Sequence, residues 1–150
     1  MGSAIGWRCK SCGAEEEYMT GCGMASCDVP ETHARIAEGA FGKIAKQLLS
    51  KDFPLDVYTV DECAIYRCPE CGKLVEGASV RFRVSGDPFD MVLHVPPQKC
   101  PACDAEFSCT EERTPLSDGD IAAHIEGVVQ SGCPECGSKS VEPSLMILWD

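Results

Sequence analysis

Cys68-Pro69-Glu70-Cys71-Gly72 is repeated letter for letter as Cys133-Pro134-Glu135-Cys136-Gly137, and two looser copies stand at Cys9-Lys10-Ser11-Cys12-Gly13 and Cys100-Pro101-Ala102-Cys103-Asp104. A Cys-x-x-Cys turn, or knuckle, puts two sulfurs on one side of a tight loop, spaced like two corners of a metal tetrahedron with Zn–S bonds of about 2.3 Å. The residue after the second Cys is Gly in three copies and Asp in the fourth. Those residues suit a backbone that takes a positive φ to aim its amides at sulfur. Pro after the first Cys of three copies presets φ where no donor is needed. Cys9, Cys12, Cys68, Cys71, Cys100, Cys103, Cys133 and Cys136 are therefore the candidate metal ligands, enough for two ions held by four thiolates each. The spacing predicts an α+β fold of two zinc-ribbon or rubredoxin-like β modules, each with an associated helix.

Twelve cysteines in 150 residues would also suit a secreted disulfide scaffold, but such scaffolds rarely set eight of them in pairs with Gly and Pro at fixed offsets. A thioredoxin-type dithiol occurs once beside a βαβ unit, not four times with turn residues attached. Lys plus Arg number 13 and Asp plus Glu 24, a formal charge of −11. Ionising eight thiols and adding two divalent cations takes the sum to −15, which repels phosphate backbones at long range and disfavours nucleic acid as a partner. No stretch approaches the roughly 18 to 20 apolar residues that span a bilayer, and the first 27 residues hold no signal-like apolar run. The expectation is a cytoplasmic protein with no membrane partner.

Apolar residues at three-to-four spacing predict a helix over about residues 30–50, with Asp28 as N-cap, Pro30 just inside, and Gly39 and Gly42 as a potential kink. A second helix is predicted over about 117–131. There Ser117 stands three residues before Asp120, Ile121, Ile125 and Val128 share a face, and Gly132 stops the run. Strand-like runs lie at about Val57 to Arg67, Ser79 to Val84, Met91 to Val95 and Val141 to Trp149. Pro96-Pro97 marks a boundary between an N-terminal module, 1–97, and a C-terminal module, 98–150. Taken in order, Cys9/Cys12 would join Cys68/Cys71 and Cys100/Cys103 would join Cys133/Cys136, so that each site encloses one helix. Nested or interleaved pairings stay open, as does a local site from Cys9, Cys12, Cys22 and Cys27.

Both sites would be coordinatively full, so two Zn2+ ions there would be structural, with Fe as the alternative because the Cys-Pro-x-Cys-Gly knuckles resemble those of rubredoxin. Cys22, Cys27, Cys63 and Cys109 read as core thiols. His33, His94 and His124 adjoin no knuckle, and Glu111, Glu112, Asp118 and Asp120 read as solvating and capping groups. Arg81 and Arg83, with Arg8 and Lys10, could form an anion site, although a solvated strand face is the simpler reading.

Trp7-Arg8-Cys9-Lys10-Ser11-Cys12-Gly13, then Thr20-Gly21-Cys22-Gly23-Met24, a helix, three further knuckles and the closing Ile147-Leu148-Trp149-Asp150 resemble a family of small uncharacterised bacterial zinc-ribbon proteins. The family has an aliphatic residue where Cys22 stands, which speaks against Cys22 as a ligand. The resemblance implies that the four knuckles hold metal and brings no activity with it. Closed sites, no cofactor loop and no nucleophile with a partnered base leave a non-enzymatic, zinc-stabilised interaction or adaptor protein as the expected function, with a protein as partner. A nucleic-acid-associated ribbon protein and an iron electron carrier are the alternatives.

Overall fold

In the computed structural model, residues 2–22, 29–50, 57–84, 90–107 and 114–148 are described. Two β-hairpins are closed by knuckles. Strands β1 (Gly2–Cys9) and β2 (Glu15–Gly21) flank the first, and β3 (Val57–Arg67) and β4 (Leu74–Val84) flank the second. With β5 (Asp90–Val95) and β6 (Val141–Leu148) they make a six-stranded antiparallel sheet in the order β5-β4-β3-β2-β1-β6. The two halves of that sheet meet narrowly, because β2 and β3 share the single registered pair Gly21↔Cys63.

This topology puts all four knuckles at one end of the sheet. β1 and β3 are each antiparallel to β2, so they run the same way and both finish in a knuckle. β6 begins with Val141 opposite Cys9, and β5 leaves β4 at the pair Ala78↔Val95, heading for the knuckle at Cys100.

The α+β expectation holds, with three helices among the described residues. The expected helix over 30–50 is two, α1 (Val29–Glu38) and α2 (Gly42–Leu48). The chain breaks between them at Gly39, φ 95°, and α2 opens on Gly42, φ 82°, left-handed values that the interior of a right-handed helix does not contain. The expected N-cap Asp28 lies outside the described residues. Helix α3 (Asp118–Ser131) matches its prediction, including the capping box. Ser117 accepts from the Asp120 amide, and the Asp120 carboxylate accepts from the Ser117 amide. Strands β1 and β2 were not expected. Gly2 and Gly6 weaken the strand pattern of one, and Glu15-Glu16-Glu17 disguises the other as a solvated charge run.

Three apolar clusters hold the sheet. Trp7, Tyr18, Ile65, Leu74 and Val141 meet Ile121 and Ile125 of α3; burying each isoleucine contributes about 1.5–3 kcal/mol. Ala64, Tyr66, Val75 and Phe107 form the second. Val80 and Phe82 meet Ile36, Phe41 and Ala45 of α1 and its neighbours in the third. Position 77, opposite Ala64, suits only glycine, because a Cβ there would stand 2.7 Å from the Tyr66 ring and 2.8 Å from the Val95 carbonyl oxygen. The ring lies buried over that gap, and its hydroxyl donates to the Ala78 carbonyl at 2.8 Å. Among the described residues no helix is long and apolar enough to cross a membrane.

Candidate metal centres

Each knuckle is built by the same two backbone bonds. The amide of the first Cys donates five residues ahead, Cys9 to Ala14, Cys68 to Lys73, Cys100 to Ala105 and Cys133 to Ser138, at 2.7–2.8 Å. The residue after the second Cys donates back to the first Cys carbonyl, from Gly13, Gly72, Asp104 and Gly137 at 2.8–3.0 Å. Those four residues have φ of 77°, 75°, 58° and 71°. A left-handed residue costs a side-chain-bearing amino acid about 1–2 kcal/mol and glycine nothing. Three glycines and an aspartate, one of the side chains that tolerates this region, are what the turn requires.

The knuckles combine into two sets of four, Cys9 with Cys12, Cys133 and Cys136, and Cys68 with Cys71, Cys100 and Cys103, the sulfurs of each within 4.8 Å of one another. The in-order pairing is therefore corrected to a nested one. The reason is the sheet: β6 pairs with β1 along its whole length and carries the Cys133 knuckle to the Cys9 knuckle, while β5 returns the chain to the β3–β4 turn. The knuckles thus pair across position 97 and not on either side of it. The alternative local site from Cys9, Cys12, Cys22 and Cys27 does not form, for Cys9 and Cys12 face Cys133 and Cys136, and Cys22 is disulfide-bonded. Cys22 is thus not the free core thiol expected from sequence.

Sulfur separations within the sets are 3.8 Å for Cys9–Cys136 and 3.6 Å for Cys12–Cys133, Cys68–Cys103 and Cys71–Cys100. A tetrahedron with bonds of about 2.3 Å has edges of about 3.8 Å, whereas a disulfide would bring sulfurs to about 2.05 Å. The sets have the size of a tetrathiolate metal site, and their chemistry fits a soft or borderline divalent ion. In each knuckle the first Cys is buried and the second exposed, so each set is half sunk in the protein and half at its surface.

Electrostatics point the same way. The amides of Cys12 and Ser11 hold the Cys9 thiol down to about 6, against desolvation, and those of Cys71 and Glu70 do the same for Cys68, also to about 6. The Ala14 amide acts likewise on Cys12, but the crowded thiols of Cys136, Cys133 and Cys9, together with desolvation, push it up to about 12. Cys103 is pushed up to about 12 despite the Ala105 amide, by desolvation and by Cys71, Cys68 and Cys100; Cys136 is also raised, despite the Ser138 amide. Four sulfurs this close cannot all ionise alone. A divalent cation among them removes that conflict.

The remaining candidates lie elsewhere. His94 faces Ser79, with Nδ1 3.2 Å from Oγ, and His124 meets the Tyr18 ring edge-on at 6.0 Å between centroids. Neither belongs to a cysteine set, nor does His33. Cys63 is half-buried on β3. Of the suggested cation cluster, Arg81 pairs with Glu62 at 3.0 Å, Arg8 with Glu15 at 3.7 Å and Lys10 with Glu142 at 2.5 Å, and the side chain of Arg83 lies outside the described residues. Asp118 and Asp120 sit in the first turn of α3, while Cys27, Cys109, Glu111 and Glu112 lie outside the described residues. Sequence reading did not foresee an open groove of about 610 Å³ beside α3, lined by Arg67, Asp120, His124 and Pro134 among others. Its imidazole, His124, is held below the ordinary histidine range by burial and by Arg67.

Compared with family models, curated proteins and solved structures, the chain matches none. What stands is the pair of tetracysteine groups, zinc-ribbon-like in their knuckles and able to hold a metal ion each.

Proposed function

We propose that this chain is a non-enzymatic, zinc-stabilised protein-interaction or adaptor protein, related to the small bacterial zinc-ribbon proteins that its knuckles resemble. The observation that carries this is the closed donor set: four sulfurs at tetrahedral spacing fill each site and leave no position for water or substrate, so zinc there serves folding. A protein partner is favoured over nucleic acid. Four of the cations flanking the knuckles are already paired, Arg8 with Glu15, Lys10 with Glu142, Lys73 with Glu16 and Lys99 with Asp104, while Arg67 and Lys139 donate to backbone carbonyls, in a chain of net charge −11. Tetrathiolate sites suit a reducing cytoplasm; the Cys22 disulfide is the feature that runs against that assignment.

One observation favours a second reading. Cys12 and Cys136, like Cys71 and Cys103, lie at the surface, and backbone amides donate to knuckle sulfurs. Exposure and such hydrogen bonds set the potential of an iron–thiolate centre. Native and denatured mass of the protein isolated from its own host decides between the two. Two zinc ions with a bound protein support the adaptor. A red, reducible centre carrying iron supports the electron carrier, and salt-dependent retention of nucleic acid would overturn the choice of partner.

A further inference from the structure

We infer that the two cysteine sets load in a fixed order: the inner set, Cys68, Cys71, Cys100 and Cys103, fills first, and the outer set, Cys9, Cys12, Cys133 and Cys136, depends on it. The inference rests on the metal-binding reading above and adds a sequence of events to it.

Chain connectivity gives the first reason. The inner set closes a loop over a sequence separation of 29, from Cys71 to Cys100, and the outer set one over a separation of 121, from Cys12 to Cys133. Closure probability falls with the 3/2 power of loop length, so chain entropy alone favours the inner set about 8.5-fold.

The apolar packing gives the second reason, and it is directional. Around the inner set the cluster is Ala64, Tyr66, Val75 and Phe107 with Cys68 and Cys100. Every member lies within residues 64–107, so this ribbon brings its own support. The outer set has no such independence. Cys9 and Cys133 share their cluster with Ile65 and Leu74, the residues that bracket the inner knuckle at Cys68.

Polar contacts run the same way. Lys73, beside that knuckle, pairs with Glu16 of β2 at 3.2 Å, and the Leu116 amide ahead of α3 donates to the Ile65 carbonyl at 2.7 Å. With the β3–β4 turn unformed, the Cys9 and Cys133 knuckles lose the surface on which they meet. With the outer set open, Ile65 and Leu74 lose their packing against Trp7 and α3, but Ala64, Tyr66, Val75 and Phe107 keep one another and the inner set keeps its own cluster.

The test starts from the reduced, metal-free full chain given one equivalent of zinc, then a pulse of iodoacetamide and peptide mapping. The expected result is that Cys68, Cys71, Cys100 and Cys103 are protected while Cys9, Cys12, Cys133 and Cys136 are alkylated. Cobalt(II) titrations followed by sulfur-to-metal charge transfer give the second readout. Replacing Cys133→Ser with Cys136→Ser should leave one site at unchanged affinity. Replacing Cys68→Ser with Cys71→Ser should weaken the outer site at least about tenfold, beyond the loop term. Equal protection, earlier protection of the outer set, or an outer site of undiminished affinity would overturn the order while leaving metal binding intact. Absence of sulfur-to-cobalt charge transfer in the wild-type chain would instead sink the metal reading and the order with it.

Discussion

Gly72→Ala and Gly127→Ala make a controlled pair. At both positions an added Cβ meets nothing within 4 Å, so neither substitution creates a clash. The backbone differs. Gly72 holds φ 75° in the turn that closes the Cys68 knuckle, with its amide 3.0 Å from the Cys68 carbonyl, whereas Gly127 is inside helix α3. A Cβ in the left-handed region costs about 1–2 kcal/mol, and alanine in place of glycine in a helix gains about 1 kcal/mol. The same chemical change should therefore act with opposite signs. For Gly72→Ala the cost falls on the metal-bound form and weakens the inner set about 5- to 30-fold, on the scale of 1.4 kcal/mol per tenfold. Gly127→Ala should raise the urea midpoint and leave both affinities alone. Chelator competition and urea unfolding of the loaded protein measure the two quantities. Gly72→Asn serves as the control, since asparagine tolerates positive φ and should recover much of the loss. If Gly72→Ala binds as tightly as wild type, the account of the knuckle is wrong.

Three further outcomes follow from the geometry. Ser117→Ala removes the α3 cap and should cost about 1 kcal/mol in urea unfolding. The Ser117 contacts hold the Asp120 carboxyl below its ordinary value, so the part of the capping box that rests on the ionised carboxylate is present above the unfolded carboxyl pKa and lost as pH falls through the folded one, while the Ser117 hydroxyl still accepts the Asp120 amide; equal wild-type and variant stabilities at neutral pH would contradict the cap. Gly77→Ala drives a methyl group into the Tyr66 ring and the Val95 carbonyl and should cost about 1–3 kcal/mol, visible as a lowered Tm; an unchanged Tm would refute that packing. Zinc binding at pH 8 should release protons from Cys12 and Cys103, which are held up to about 12 in the metal-free sets. Calorimetry in buffers of different ionisation enthalpy should show that release, and buffer-independent heats would contradict it.

The parts of the structure legible in the sequence are those set by neighbouring residues. The knuckle at Cys68 could be read as a turn because Pro69 and Gly72 dictate its backbone, and α3 because Ser117, Asp120, Ile121 and Ile125 mark its start and its buried face. The pairing of the knuckles was not legible. It depends on β6 crossing to β1 and Val141 lying opposite Cys9, a contact between the two ends of the chain that loop entropy disfavours and only sheet formation rewards. β1 and β2 escaped notice because their side chains argue weakly. Glu15, Glu16 and Glu17 look like a solvated run, yet Glu16 is enlisted by Lys73 at 3.2 Å and by the Tyr18 hydroxyl at 2.6 Å. Those partners hold its carboxyl below the ordinary glutamate range even against the burial that would raise it.

Nested tetrathiolate pairing is the central claim, and substitution with NMR-active cadmium tests it most directly. Through-bond correlation from each cadmium to cysteine β-protons names the ligands of each ion. Two cadmium signals are predicted, one coupled to Cys9, Cys12, Cys133 and Cys136 and the other to Cys68, Cys71, Cys100 and Cys103. A signal joining Cys9 and Cys12 to Cys68 and Cys71, or a cadmium with fewer than four cysteine partners, would contradict it.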